Sequence, residues 1–145
     1  MREYITKSYE ETLELAKKLA GELGKGSVIG FLGDLGSGKT AFTSGFVKGL
    51  GINAEVSSPT FAICNDYIGK NDRVYHFDMY RIDGWDDLYS CGYYDYLDTD
   101  AYILCEWSEN IFGALPDDAV IIKIDKLGEN ERSFKIMTKE EAEDL

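Results

Sequence analysis

The sequence predicts a single α/β domain over residues 1–145, built on a mixed parallel and antiparallel sheet flanked by helices. Three observations lead there. A chain of 145 residues is long enough for one substantial core and short for two. Short, almost unbroken apolar runs, the signature of strands buried on both faces, alternate with segments of helical period. One of those runs is joined to the next helical segment by a glycine-rich turn, the connection of a strand–loop–helix unit.

Taken in order, Ser8-Tyr9-Glu10-Glu11 has the capping-box form, so a helix follows it. Leu13, Ala16, Leu19, Ala20 and Leu23 recur at three- and four-residue spacing as its apolar stripe, and Gly24 is its stop. Residues 27–32, SVIGFL, read as a buried strand; after the glycine-rich turn, Ala41, Phe42, Phe46, Val47 and Leu50 mark a second helix ending at Gly49 to Gly51. Phe61 to Ile68 and Arg73 to Tyr80 read as strands of a hairpin across Gly69-Lys70-Asn71-Asp72. Asp86 to Leu97 is one short helix or two, broken near Gly92, and Ala101 to Trp107 is a buried strand ending in Glu106. Beyond Pro116, residues 119–125 and 132–137 form a second hairpin across LGEN, and KEEAEDL is a charged helical end.

Lysine plus arginine number 15 and aspartate plus glutamate 27, a net charge of −12. Such a surface repels nucleic-acid phosphates and anionic lipid, which argues against direct DNA, RNA or membrane binding. No apolar stretch approaches the length of a membrane span, and MREYITKSYEE lacks the apolar core of a signal peptide, so a cytoplasmic location is expected. Cys64, Cys91 and Cys105 are odd in number and widely spaced, as reduced thiols are; with His76 the lone histidine and no CxxC pair, a zinc site is not expected.

The turn after the first buried strand is GDLGSGKT, residues 33–40, which satisfies G-x-x-x-x-G-K-[ST] through Gly33, Gly38, Lys39 and Thr40. At average residue usage a match arises by chance in about half a percent of chains this long. The context is the one the chemistry needs: glycines let successive N–H groups turn inward, and the helix N-terminus adds a positive dipole. The backbone N–H groups of Gly36, Ser37, Gly38 and Lys39 are expected to hold the β-phosphate region of a nucleotide. The Lys39 ammonium is expected to bridge β and γ oxygens, and the Thr40 hydroxyl to ligate Mg²⁺. The alternative is a glycine-rich turn with an exposed lysine. Together these features predict a P-loop NTPase fold.

A second protein contact to magnesium comes from an acid at the end of a neighbouring strand. Asp78, closing VYHFD, and Glu106, closing YILCE, both have that form; either suits the metal, with the other orienting the attacking water. His76 reads as a core or hydrogen-bonding residue ahead of a base. No [NT]KxD motif follows, the nearest run being Thr138-Lys139-Glu140-Glu141, so adenine is favoured over guanine. No residue is singled out for the base; the start of the first helix and the turn near Asn130 are the candidate places.

GDLGSGKT, Ser58-Pro59-Thr60-Phe61, His76-Phe77-Asp78-Met79-Tyr80-Arg81 and Glu106-Trp107 occur in the order and spacing of the TsaE (YjeE) family, which the chain resembles over essentially its whole length. The resemblance implies a small bacterial P-loop ATPase that uses ATP and Mg²⁺ in forming threonylcarbamoyladenosine at position 37 of tRNAs. Its implied partners are TsaD and TsaB, with tRNA contacted only through the complex. By the same resemblance Gly36 to Ala41 line the phosphates, Thr40 and Glu106 are the Mg²⁺-associated pair, and Asp78 is a further acid near the metal. Thr60 lies on a loop that senses the γ-phosphate, and Trp107 stands beside the active site. Ala41, where many members carry a second threonine, and Ser90-Cys91-Gly92 depart from the family pattern without removing a ligand.

Only four arginines are present, Arg2, Arg73, Arg81 and Arg132, so slow hydrolysis alone and stimulation by a partner are expected. Two other readings stay open from the residues: a nucleotide-gated binding module without turnover, and a small-molecule kinase, which the lack of an arginine-rich lid disfavours. Asp83, Asp86, Asp87, Asp95, Asp98 and Asp100 fall in a stretch without lysine or arginine, either a solvated helical face or a surface for a basic partner.

Overall fold

The computed structural model describes residues 1–33, 38–56 and 64–145. Seven strands form one sheet in the order β1-β7-β6-β2-β5-β4-β3. They are β1 (Arg2–Thr6), β2 (Val28–Leu32), β3 (Cys64–Ile68), β4 (Arg73–Asp78), β5 (Tyr102–Glu106), β6 (Val120–Lys126) and β7 (Arg132–Thr138). At the centre β2 pairs in parallel with β5 and β6, and β5 in parallel with β4. The outer strands β3, β7 and β1 pair antiparallel with their neighbours. This is the expected mixed sheet, and its centre is apolar because those strands are covered on both faces.

Side-chain alternation divides the sheet. Ile29 and Phe31 of β2, Val74 of β4, Leu104 of β5 and Ile122 of β6 pack against α1 (Tyr9–Glu22) and α2 (Lys39–Gly49). Val28, Tyr75, Phe77, Ile103, Cys105 and Ile121 pack on the opposite layer. That layer holds α3 (Trp85–Ser90), α4 (Tyr93–Leu97), a 3-10 segment (Ser108–Ala114) and α5 (Lys139–Glu143).

Helix α1 starts where Ser8 caps it, the Glu11 N–H donating to Ser8 Oγ at 3.1 Å. The returning bond differs from the simple capping box: Glu11 Oε1 accepts from Lys7 N–H at 2.9 Å, one residue earlier. Its buried stripe is Thr12, Leu15, Ala16, Leu19 and Ala20, so Leu13 and Leu23 are only half-buried and Leu15 takes the expected place of Leu13. The helix ends at Glu22 with Leu23 as its cap, just before Gly24. Helices α1 and α2 cross closely at Gly45, where a Cβ would stand 2.6 Å from the Leu13 carbonyl oxygen and 2.9 Å from Ala16 Cβ. Phe42 of α2 meets Phe31 edge-on at 5.5 Å and stacks on Phe134 at 5.7 Å, pinning the start of the helix to the sheet.

Several boundaries move. Arg2–Thr6 is an edge strand that the sequence pattern did not announce. The strand expected over Arg73 to Tyr80 stops at Asp78, because Asp78 Oδ1 accepts from the Tyr80 N–H at 3.0 Å and turns the chain. The strand expected from Phe61 begins, in the described residues, at Cys64; Phe61 itself lies outside them. The break at Gly92 divides α3 from α4 as expected. Among the described residues no helix is long and apolar enough to cross a membrane.

Candidate functional site

The site grows from the carboxyl ends of β2, β4 and β5 and the first turn of α2. Strand β2 delivers the chain to Gly33, and α2 opens at Lys39 with Gly38 as its cap, in the left-handed region at φ 110°. No side chain caps α2 and no acid stands in its first turn, so the helix itself supplies no anion to its positive end. Gly36 and Ser37 of the expected phosphate cradle, and Ser58, Pro59, Thr60 and Phe61, lie outside the described residues.

Lys39 is 5% exposed, and its Nζ has no hydrogen-bond partner among the described residues. The ammonium sits 4.5 Å from the centroid of the Trp107 ring, a cation–π contact. A turn that merely exposed a lysine would leave it in solvent, and that alternative is not what is found. A buried ammonium with a ring face but no hydrogen-bond acceptor among the described residues is under-satisfied, and an anionic oxygen is the kind of partner that would complete it. Thr40 is the second residue of α2 and half-buried, and Ala41 follows it, also half-buried.

Register brings the acids together. In the parallel β4–β5 pair Asp78 stands opposite Glu106 and His76 opposite Leu104. His76, Asp78 and Glu106 therefore share the face on which α2 lies, with His76 the diagonal neighbour of Glu106. His76 is fully buried, and its Nε2 is 2.6 Å from Glu106 Oε2. Glu106 is itself buried, whereas Asp78 is half-buried.

Trp107 holds a left-handed conformation, φ 59°, and is the non-glycine exception among the described residues. That geometry costs on the order of 1 to 3 kcal/mol and persists only where neighbours enforce it. Here they do. Met79 N–H donates to the Glu106 carbonyl at 3.0 Å, Ser108 Oγ to the Cys105 carbonyl at 2.8 Å, and Asn110 Nδ2 to the Met79 carbonyl at 2.9 Å. The Tyr80 ring lies 5.1 Å from that of Trp107. The kink turns the Trp107 ring onto Lys39, so the residue after the strand-end acid touches the loop lysine.

The sequence did not single out Arg132. Its side chain comes within 3.9 Å of where a Cβ on Gly38 would stand, and Nη1 donates to the carbonyls of Gly128, Glu129 and Glu131 at 2.9, 3.1 and 2.9 Å. Thr6, just before α1, is its register partner across β1 and β7. Of the two places considered for the base, the turn containing Asn130 is tied to Gly38 through Arg132, and Thr6, before the first helix, is linked to Arg132 by register. Only the scarcity of arginine hinted at this. Among the described residues no three His, Cys, Asp or Glu side chains cluster as a metal cage. Mg²⁺ ordinarily takes one or two protein oxygens and completes its shell from phosphates and water, so the Thr40, Asp78 and Glu106 oxygens fit its chemistry.

Comparison with known proteins agrees with this architecture. Residues 6–134 match the family model for threonylcarbamoyl adenosine biosynthesis protein TsaE. The chain is 41% identical over 125 residues to the TsaE protein of Bacillus subtilis, covering 86% of this chain and 78% of that one. It is 33% identical over 141 residues to that of Aquifex aeolicus, covering 96% and 98%. The crystal structure of Bacillus subtilis YdiB superposes with a TM-score of 0.78 at 34% identity, covering 94% of this chain and 84% of that one. The chain belongs to the TsaE family of tRNA threonylcarbamoyladenosine biosynthesis proteins.

Proposed function

We propose that this chain is the ATP-binding and ATP-hydrolysing subunit that works with TsaB and TsaD in placing threonylcarbamoyladenosine at position 37 of tRNAs. The observation that carries the reading is the buried Lys39 ammonium, without a hydrogen-bond partner among the described residues, at the uncapped start of α2 and in contact with Trp107 beside Glu106. Lys39 binds the β and γ oxygens of ATP, and the α2 N-terminus adds its dipole. Thr40 and Glu106 would hold Mg²⁺, and Asp78, opposite Glu106 in register, would orient a water or complete the outer contacts of the metal. Bound metal supplies charge neutralisation to the phosphates. Trp107 covers the lysine and keeps bulk water from it.

The acidic surface fits this division of labour. Asp83, Asp86, Asp87, Asp95, Asp98 and Asp100 are all exposed, which supports a division in which a partner holds the tRNA and this cytoplasmic chain does not touch it. The test is ATP turnover by the purified chain with and without TsaB and TsaD, alongside threonylcarbamoyladenosine formation on tRNA. Turnover that rises with both partners is expected. Equal turnover with and without them would refute the coupling, and single-turnover binding without hydrolysis in the full assembly would leave a nucleotide-gated module instead.

A further inference from the structure

We propose that His76 is a positioning residue for Glu106: its imidazole fixes one carboxylate oxygen so that the other is presented in a single orientation at the nucleotide site. The inference rests on the proposed role of Glu106 and adds what holds that side chain. The pair is buried, with His76 fully enclosed between β3 and β5 and its Nε2 2.6 Å from Glu106 Oε2. A carboxylate oxygen accepts, so Nε2 carries the proton and donates. In that neutral tautomer Nδ1 keeps a lone pair, and Nδ1 indeed has no hydrogen-bond partner among the described residues. The opposite tautomer would bury an unpaired N–H at Nδ1 and leave Nε2 facing the carboxylate with a lone pair, two penalties at once.

Geometry makes the contact specific. Glu106 is the last residue of β5, and the Trp107 kink begins immediately after it. Its backbone carbonyl is held by Met79 N–H, but that bond does not fix the side-chain rotamer. Fixing it falls to a donor on the neighbouring strand, and His76 occupies the diagonal position from which a side chain two residues back reaches the carboxylate. Tyr67, from β3, lies with its ring 6.3 Å from the imidazole on the outer side and limits its swing. Metal-site carboxylates characteristically have such outer hydrogen bonds, and losing one costs about 10- to 100-fold in metal affinity or activity.

The test uses two substitutions and one spectrum. In His76→Phe the ring packing stays and the donor is lost; in His76→Gln the amide N–H restores a donor near the Nε2 position. With TsaB and TsaD present, His76→Phe is expected to lower kcat about 10- to 100-fold with little change in KM for ATP, and His76→Gln to recover most of the loss. A merely structural histidine would give two equally damaged variants, and a dispensable one two undamaged variants; either result overturns the proposal. Independently of activity, His76 is the chain's only histidine, so its ring nitrogens give unambiguous NMR signals. The unsubstituted protein should show the Nε2–H tautomer, slow in solvent exchange, and Glu106→Ala should shift that signal and speed its exchange. An Nδ1–H tautomer, or a signal indifferent to Glu106→Ala, overturns the proposal even if the His76 variants do not fold. Undiminished turnover in Glu106→Ala would instead remove the role of Glu106 on which the proposal stands.

Discussion

Replacing Lys39 with methionine separates what the fold wants from what the site wants. The Lys39 ammonium is buried with no hydrogen-bond partner among the described residues and a Trp107 ring at 4.5 Å as its compensation. Burying an ion costs several kcal/mol after relaxation, and a desolvated cation–π contact returns about 2 kcal/mol. Methionine keeps the stem against the indole and removes the charge, so the nucleotide-free protein should gain roughly 1 to 2 kcal/mol. For a domain of this size that is a rise in Tm of about 2 to 8 °C. The same change removes two charge-assisted hydrogen bonds to phosphate, each about 1.5 to 3 kcal/mol, so ATP affinity should fall on the order of 10² to 10⁴-fold. Thermal melts without nucleotide and titration with a fluorescent ATP analogue read the two effects separately. A lower Tm in the nucleotide-free variant, or an affinity within a few-fold of the parent, would refute the reasoning.

Other outcomes follow from the packing and the surface. Gly45→Ala gains helix propensity worth about 1 kcal/mol, yet its Cβ meets the Leu13 carbonyl at 2.6 Å, and overpacking of this kind costs about 1 to 3 kcal/mol. Urea unfolding should therefore show a net loss, and an unchanged midpoint would mean α1 and α2 separate freely. Burial and the nearby Asp66 push the Cys64 thiol up to about 12, and burial also raises Cys91 and Cys105, so few thiolates exist at pH 8. Alkylation should be slow in the native protein and involve all three cysteines in urea; rapid native modification would contradict that. If the acidic stretch is the surface for the proposed partners TsaB and TsaD, association should slow as salt rises and in Asp86→Lys combined with Asp87→Lys, whereas salt-independent association would leave these acids as a solvated face.

What the sequence made legible was local. The Ser8 cap, the loop lysine and the strand-ending acids each announce themselves within a few residues, because capping, phosphate cradling and burial of a short strand are short-range demands. Edge strand Arg2–Thr6 escaped notice because an edge needs only one covered face and Thr6 alone is buried in it. The placement of β2 between β5 and β6 also depends on pairings across the whole chain. His76 looked like a core residue and is one; that it meets Glu106, 30 residues later, follows only from the parallel register. The approach of Arg132 to Gly38 is likewise a product of the β6–β7 turn, which no local pattern encodes.

The pairing of β1 with β7 sets an order of assembly. Thr6 cannot meet Arg132 until the chain has been made through β7, although β2 and α2, which leads with Lys39, emerge long before. A nascent or truncated chain ending before residue 132 therefore displays the loop sequence without the hairpin that closes beside Gly38. Long-range pairing of this kind is slow relative to local helix formation. The surroundings of Gly38 are thereby completed only once β7 has been made, well after α2 itself.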